Sequence, residues 1–107
     1  MIAKTPQPPY YAVIFTSIRT AGDNGYSQMD EEMEKLVKKQ PGFLGFEWAS
    51  NEIGITVSYW KDLESIRKWK NNDAHTIAQE KGRKTWYEKY KVRIAKVERD
   101  YGFENET

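Results

Sequence analysis

Apolar and polar residues follow a period of two along four stretches of the chain, which is typical of β-strands. These stretches are Tyr10–Arg19, 43–50, 53–60 and 90–100. The first is apolar on both faces, with Tyr11, Val13 and Phe15 on one and Ala12, Ile14 and Ile18 on the other. A strand with two apolar faces needs a covering layer on each side. The pattern therefore predicts a central sheet that is buried on both faces.

A period of 3.6 residues predicts helices between these strands. The first runs from Ser27 to about Gln40, and Ser27 with Asp30 resembles a capping box. A short helix follows Asp62, which is expected to cap it. Asn71 and Asn72 interrupt the pattern, and Asp73 is expected to cap a last helix over residues 74–88.

The order of elements is strand, helix, strand, strand, helices, strand. This βαββαβ order predicts an α+β, ferredoxin-like fold, an antiparallel sheet with helices on one face. A chain of 107 residues supplies helices for one covering layer only, so the other face is expected to pack on a second copy of the same sheet. The prediction is a homodimer of a single domain, residues 10–107. Pro6, Pro8 and Pro9 keep residues 1–9 irregular.

The last predicted helix carries unusual polar residues on its inward stripe, which comprises His75, Ala78, Gln79, Gly82 and Trp86. An inward amide such as that of Gln79 needs a partner or a ligand. His75, with an ordinary pKa near 6.5, could act as a general base, ligate haem, or serve as a hydrogen-bonded residue of the first turn. Both residues are candidate catalytic residues.

Five aromatic residues are candidates for binding a flat substrate, although aromatic residues at helical or strand spacing are more commonly part of a core. They are Phe15, Trp48, Tyr59, Trp69 and Trp86.

Composition excludes several classes of function. Seventeen Lys and Arg residues against 16 Asp and Glu argue against charge-driven binding of nucleic acid or a membrane surface. RNA-recognition modules share the βαββαβ order, but a net charge of +1 disfavours RNA binding. The absence of cysteine excludes disulfides and thiolate catalysis, and no Cys/His spacing indicates a metal site. No apolar run reaches the length of a membrane span, so a cytoplasmic location is expected.

Four segments resemble the antibiotic biosynthesis monooxygenase family, whose members are dimeric α+β barrels of ferredoxin-like subunits. They read P-G-F-L-G-F-E-W, G-I-T-V-S-Y-W, W-K-N-N-D-A-H-T-I-A-Q and W-Y-E-K-Y-K-V-R-I-A-K-V-E-R-D-Y-G-F. The similarity covers nearly the whole chain from about Tyr10. It implies one of two activities: oxidation of polyphenolic rings by molecular oxygen without metal or flavin, or binding and degradation of haem.

The haem branch of the family is matched at one position of three. Trp69 corresponds to the Trp of that branch, but Gln79 stands where the branch has a His, and the predicted first strand lacks its Asn. The favoured interpretation is therefore a cofactor-independent monooxygenase acting on an aromatic small molecule. His75 would be the acid/base or substrate hydrogen-bonder, Gln79 would orient substrate or oxygen, and Trp69 and Trp86 would form apolar walls. The alternatives are a haem-binding monooxygenase and a dimeric small-molecule-binding protein without turnover.

Overall fold

The computed structural model describes residues 2–105. Its elements, in chain order, are β1 (Tyr10–Arg19), α1 (Tyr26–Val37), β2 (Phe43–Ser50), β3 (Gly54–Trp60), α2 (Leu63–Lys70), α3 (Asp73–Lys81), a π-helical turn (Gly82–Trp86) and β4 (Tyr87–Val97). The strands form one antiparallel sheet with the order β2-β3-β1-β4. The ferredoxin-like α+β fold predicted from the order of elements is confirmed.

The cross-strand register confirms that β1 has two apolar faces. Val13 pairs with Ser58 and Ile94, whereas Ile14 pairs with Val57 and Arg93. Residues directly opposite in a sheet point to the same face. We call the face that carries Val13 the helix face and the face that carries Ile14 the open face.

The helices pack on the helix face. Trp60 from β3 keeps only 1% of its surface exposed, and Trp69 from α2 stacks on it with ring centroids 6.5 Å apart. On the open face, Ile55 remains 44% exposed. The N-terminal segment crosses one end of this face, where the amide of Ala3 donates to Glu47 Oε2 at 2.9 Å. The chain therefore covers each face only in part: Val92 and Ile94 on the helix face are 46% and 54% exposed, whereas Tyr10 and Ala12 on the open face are 4% and 5% exposed.

Two of the three predicted helix caps are wrong. The cap of α2 is confirmed, since Asp62 accepts a hydrogen bond from the amide of Ser65 at 2.8 Å. In α1, Asp23 and not Ser27 is the acceptor: its carboxylate binds the amide of Ser27 at 3.2 Å. In α3, Asn72 is the cap and accepts from the amide of His75 at 3.2 Å. Asn72 has extended backbone angles, as an N-cap requires, whereas Asp73 is already helical.

The boundaries at the end of two helices also differ from the prediction. α1 ends at Val37, not near Gln40, and the helical region expected to reach residue 88 ends at Trp86. β4 begins at Tyr87, three residues before the predicted start. A bulge explains this: Ile18 pairs with Lys89 but Arg19 pairs with Tyr87, so the period of two is broken where the strand begins.

Gly82 is required by close packing at this junction. A Cβ atom on Gly82 would lie 2.9 Å from Cδ2 of Tyr87. The missing side chain therefore lets the π-helical turn pass close to the first residue of β4.

Candidate functional site

Trp69, His75 and Gln79 come together where α2 meets α3. The imidazole ring of His75 stacks on the indole of Trp69, with centroids 4.2 Å apart and planes 13° from parallel. The break at Asn71 and Asn72 reverses the chain, so that the first turn of α3 returns to the last turn of α2. Gln79 lies one helical turn after His75 and therefore on the same side of α3.

A backbone carbonyl determines the tautomer of His75. Its Nδ1 lies 2.9 Å from the carbonyl oxygen of Trp69. Because a carbonyl can only accept, Nδ1 carries the proton, and in the neutral ring the lone pair is on Nε2. No hydrogen bond joins Nε2 to another of residues 2–105, and no fully buried polar side-chain atom in that range lacks a partner. Nε2 therefore keeps access to solvent or to a ligand.

Burial lowers the pKa of His75 below its ordinary value of 6.5, and the hydrogen bond to the Trp69 carbonyl offsets part of this effect. The imidazole is consequently neutral at pH 7. A neutral imidazole with a fixed Nδ1–H and an accessible Nε2 lone pair can accept a proton or coordinate a metal through Nε2.

Gln79 joins α3 to the end of α2. Its Nε2 donates to the carbonyl oxygen of Lys70 at 3.0 Å. The same nitrogen lies 3.2 Å from Nδ1 of His75, but in the tautomer set by Trp69 both atoms are donors, so this contact is not a hydrogen bond. The amide nitrogen of Gln79 thus serves the helix junction, and its Oε1 remains an acceptor.

Trp86 and Phe15 lie in a second aromatic cluster on the helix face. Trp86 is 4% exposed, packs edge-on against Tyr26 at 5.7 Å and donates from Nε1 to the carbonyl oxygen of Asn24 at 3.0 Å. Phe15 contacts Tyr87 at 5.3 Å and Tyr90 at 5.2 Å. Neither residue makes a ring contact with Trp69 or His75 within the described range.

Sequence reasoning did not identify the polar residues of this second cluster. The guanidinium of Arg19 lies 3.5 Å from the ring centroid of Tyr26, and its Nε donates to the carbonyl oxygen of Trp86 at 2.9 Å. Burial raises the pKa of Tyr87 and that of the Asp30 carboxyl. The sequence signal for this cluster was Arg19, a charged residue at the end of an otherwise apolar strand. The sequence alone does not show which residues Arg19 contacts.

Trp48 and Tyr59 lie on opposite faces of the sheet. Trp48 belongs to edge strand β2 on the helix face and is 66% exposed. Tyr59 lies on the open face and donates from its hydroxyl to Glu47 Oε1 at 2.6 Å. Burial, together with Glu47, raises the pKa of Tyr59 to about 12.

A cavity of about 320 Å³ opens beside Tyr59 and Glu47 on the open face. The hydroxyl of Tyr10 donates to Asp100 Oδ2 at 2.5 Å at its far side. A groove of about 370 Å³ lies on the other side of the molecule between α1 and α3, and Met29, Ile77 and Trp86 contribute to its lining.

Metal-ligating side chains are not grouped in the described part of the chain: residues 2–105 contain no cluster of three or more His, Cys, Asp or Glu that could hold an ion. Over the same range, none of the helices has the length and hydropathy needed to cross a bilayer.

Comparisons with known proteins agree with this architecture. The family model described as antibiotic biosynthesis monooxygenase matches residues 10–81. The uncharacterised protein YqjZ of Bacillus subtilis (strain 168) is 48% identical over 108 residues, covering 99% of this chain and 95% of that protein. The jasmonate monooxygenase ABM of Pyricularia oryzae is 37% identical over 43 residues, which are 40% of this chain and 20% of that protein.

Solved structures show the same fold at low sequence identity. SnoaB, a cofactor-independent oxygenase from Streptomyces nogalater, superposes with a TM-score of 0.73 at 8% identity, covering 85% of this chain and 95% of that one. A protein from Caulobacter crescentus described as a putative antibiotic biosynthesis monooxygenase superposes with a TM-score of 0.70 at 12% identity, covering 83% of this chain and 89% of that one. From the family model and the match with YqjZ, we conclude that the chain belongs to the antibiotic biosynthesis monooxygenase family.

Proposed function

We propose that the protein is a cofactor-independent monooxygenase that oxidises an aromatic, phenolic small molecule at the junction of α2 and α3. Membership of the family supports the reaction class. The observation that carries the proposal is the neutral His75, whose Nδ1 is bound to the Trp69 carbonyl and whose Nε2 is an accessible acceptor.

The chemistry without a cofactor restricts the substrate. Reduction of O₂ to the level of water takes four electrons, and without flavin or metal the substrate must supply all of them. Conversion of a phenol to a quinone does so: one oxygen atom enters the ring as the new carbonyl, and the other leaves as water with the two hydrogens lost from the substrate. An electron-rich phenol or polyphenol is therefore a suitable substrate for a cofactor-independent site.

His75 acts as the base in this proposal. Its lowered pKa keeps Nε2 unprotonated at neutral pH, so that it can accept the phenolic proton. The resulting phenolate is a better electron donor towards oxygen. The imidazolium that forms keeps its Nδ1–H bond to the Trp69 carbonyl and lies against the Trp69 ring, whose π-face favours a cation.

The remaining predicted residues have supporting roles. Gln79, through Oε1, orients the substrate or oxygen, while its amide nitrogen holds the two helices together. Trp69 positions His75 and forms one apolar wall. Phe15, Trp48 and Trp86 are proposed as further apolar surfaces of the helix face, and Tyr59 lies outside that face. The proposed homodimer covers the open face, where Ile55 is 44% exposed.

Haem binding is a second candidate because of one feature of His75. Histidines that ligate a metal commonly donate their other ring N–H to a carbonyl or carboxylate, as Nδ1 of His75 does to Trp69. If haem were bound, His75 would hold its iron through Nε2. Bound haem would supply an iron centre for oxygen chemistry there, and His75 would hold it.

A His75→Asn variant tests the proposed base. Asn can reproduce the donor at the Nδ1 position but has no atom at Nε2, so the helix junction should survive while proton acceptance is lost. With a panel of phenols, the initial rate of oxygen consumption should fall about 10²- to 10⁴-fold, with an unchanged circular dichroism spectrum. The wild-type rate should fall as the pH drops below the lowered pKa of His75. A variant that folds normally and keeps its full rate would remove His75 from the mechanism.

A haem titration followed by absorbance separates the second candidate. Saturable binding of one haem per chain that is lost in His75→Asn would move the protein to the haem branch. Absence of specific binding would leave the phenol oxidation as the remaining proposal.

A further inference from the structure

The cavity beside Tyr59 is bounded by the segment before β1 and the segment after β4. Residues of the ranges 2–5 and 100–102 line it, together with Tyr10 of β1, Glu47 of β2 and Tyr59 of β3. Tyr10 is only 4% exposed, so the chain itself covers this end of the open face. All walls of the cavity therefore belong to one chain. Its volume of about 320 Å³ is at the small end of the range found for small-molecule sites.

Two carboxylates face this cavity, and a tyrosine hydroxyl binds each of them. Glu47 Oε1 accepts from Tyr59 at 2.6 Å, and Asp100 Oδ2 accepts from Tyr10 at 2.5 Å. Neither carboxylate forms an ion pair within residues 2–105. The residues that line the cavity include no Lys, Arg or His. Its side chains therefore carry two formal negative charges and no positive charge.

Acceptors in the wall of the cavity already use the protons of its hydroxyl groups. The hydroxyls of Tyr10 and Tyr59 donate to the two carboxylates, and Thr5 Oγ1 donates to the Tyr10 oxygen at 3.0 Å. Because a hydroxyl has a single proton, these three side chains can offer a ligand only acceptor lone pairs. Asp100 Oδ1 accepts no hydrogen bond from another of residues 2–105. A ligand of this cavity must therefore bring the donors.

Aromatic rings in the wall also favour a positive charge. The rings of Tyr10 and Tyr59 pack edge to face, with centroids 5.8 Å apart. The π-face of a tyrosine ring attracts a cation, most strongly where water is excluded. Burial raises the pKa of both hydroxyls, and the adjacent carboxylates raise it further, to about 12 for Tyr59. Both hydroxyls therefore remain protonated at neutral pH and bound to their carboxylates.

We propose that this cavity binds a small organic cation with N–H donors, of the class of a primary ammonium ion. The N–H groups donate to the remaining lone pairs of Glu47 and Asp100, and the charge lies beside the two tyrosine rings. An anion is disfavoured because the lining side chains have neither a positive charge nor a free hydroxyl proton. A metal ion such as Ca²⁺ takes about six to eight oxygen ligands, more than two carboxylates supply. The site lies across the sheet from His75 and does not depend on the proposed catalysis.

Titration with butylammonium chloride tests the proposal. Calorimetry at pH 7 should show saturable binding of one butylammonium ion per chain, whereas butan-1-ol, which has the same carbon chain without the charge, should not bind. Glu47→Gln and Asp100→Asn keep the size of the side chain but remove one charge each, so each should weaken binding by about tenfold or more. The control is Glu31→Gln, since the side chain of Glu31 is 71% exposed on α1 and the variant should bind like the wild type.

Amide chemical shifts of the wild type locate the binding independently of any variant. On addition of butylammonium, the signals of Ala3 and Gly102, which line the cavity, should move, and that of His75 should not. No saturable binding at millimolar concentration would overturn the proposal, as would equal binding of butan-1-ol or unchanged affinity in both substituted chains. Shifts confined to α2 and α3 would also overturn it. Tighter binding of Ca²⁺ with the same shifts would replace the organic cation by a metal ion. Should a substituted chain not fold, the shifts of the wild type decide.

Discussion

The two faces of the sheet bury their aromatic side chains in different ways. On the helix face, Trp60 contacts Phe43 at 5.3 Å and Trp69 at 6.5 Å and is 1% exposed. On the open face, Tyr59 packs against Tyr10 at 5.8 Å, but its hydroxyl ends at Glu47 beside an open cavity. The contacts of Trp60 are thus completed within one chain, as are those of Tyr10, which is 4% exposed on the open face. The open face combines apolar residues with Glu47 and Arg93, neither of which forms an ion pair within residues 2–105.

His75 and Tyr59, which lie on opposite sides of the sheet, also differ in what binds them. On the helix side, a backbone carbonyl binds His75 and burial keeps it neutral. On the open face, a carboxylate binds Tyr59 and holds its proton in place. His75 therefore keeps a lone pair on Nε2 that can act on a substrate. Tyr59 is a weaker acid than an ordinary tyrosine and contributes packing and a hydrogen bond.

The largest effect is expected from substitutions in the centres of the two faces. Trp60→Ala should lower the free energy of unfolding by about 3–5 kcal/mol at every protein concentration, because Trp60 is buried by its own chain. Val57→Asp on the open face should leave the fold intact but abolish the dependence of thermal stability on protein concentration, because it disrupts association. Denaturant and thermal melts at two concentrations measure both. A concentration-dependent loss for Trp60→Ala would contradict the comparison.

An intermediate effect is expected at the glycine that packs beneath Tyr87. Gly82→Ala places a Cβ 2.9 Å from the Tyr87 ring. We expect a loss of about 1–2 kcal/mol, since overpacking costs more than the better helix propensity of alanine returns. Gly102→Ala in the C-terminal segment is the matched control, because nothing lies within 4 Å of a Cβ there. Equal urea midpoints for the two variants would show that the contact at Gly82 is readily relieved.

The smallest effect concerns pH, and it should have opposite directions for His75 and Tyr59. In the folded chain the pKa of His75 lies below 6.5, so on acidification His75 is protonated in the unfolded chain before it is protonated in the folded chain. The contribution of neutral His75 to the free energy of unfolding is therefore lost as the pH falls from 6.5 through the folded pKa. Tyr59 has a folded pKa of about 12 against 10.0, so its contribution is complete below pH 10 and is lost as the pH rises towards 12.

Urea denaturation between pH 4 and 11 measures these two dependences. His75→Asn should flatten the acid side only, and Tyr59→Phe should reduce the slope on the alkaline side only. Part of the alkaline slope should remain in Tyr59→Phe, because the pKa of Tyr10 is also raised, chiefly by burial and its bond to Asp100. An acid side that is unchanged in His75→Asn would show that other groups control stability there.

Much of the fold was predictable because it depends on local patterns. The two apolar faces of β1 and the βαββαβ order follow from periodicity, and the register confirms both. The start of β4 was not predictable in this way, because the bulge between Ile18 and Arg19 places Tyr87 and Tyr90 on the same face. The acceptor Asp23 before α1 and the cap Asn72 of α3 were missed because neighbouring polar residues, Ser27 and Asp73, have similar propensities.

The candidate site, like the fold, was predictable from the sequence only in part. The spacing of His75 and Gln79 indicated that they share one side of a helix, which required only the helical period. The stacking of His75 on Trp69 depends on how the chain turns between α2 and α3. Trp86 was expected on the same stripe, but its ring contacts Tyr26 and its Nε1 binds Asn24.

The sequence by itself determined the order of elements, the two-sided first strand and the positions of the residues that could carry chemistry. These properties depend on periodicity and on residue type, which each short segment contains. Only the tertiary structure decided which nitrogen of His75 carries the proton, because the carbonyl of Trp69 reaches Nδ1 only after α2 and α3 have packed. It alone also aligned Glu47 with Arg93, because their common row follows from the register of three strand pairs that hydrogen bonds between distant segments establish.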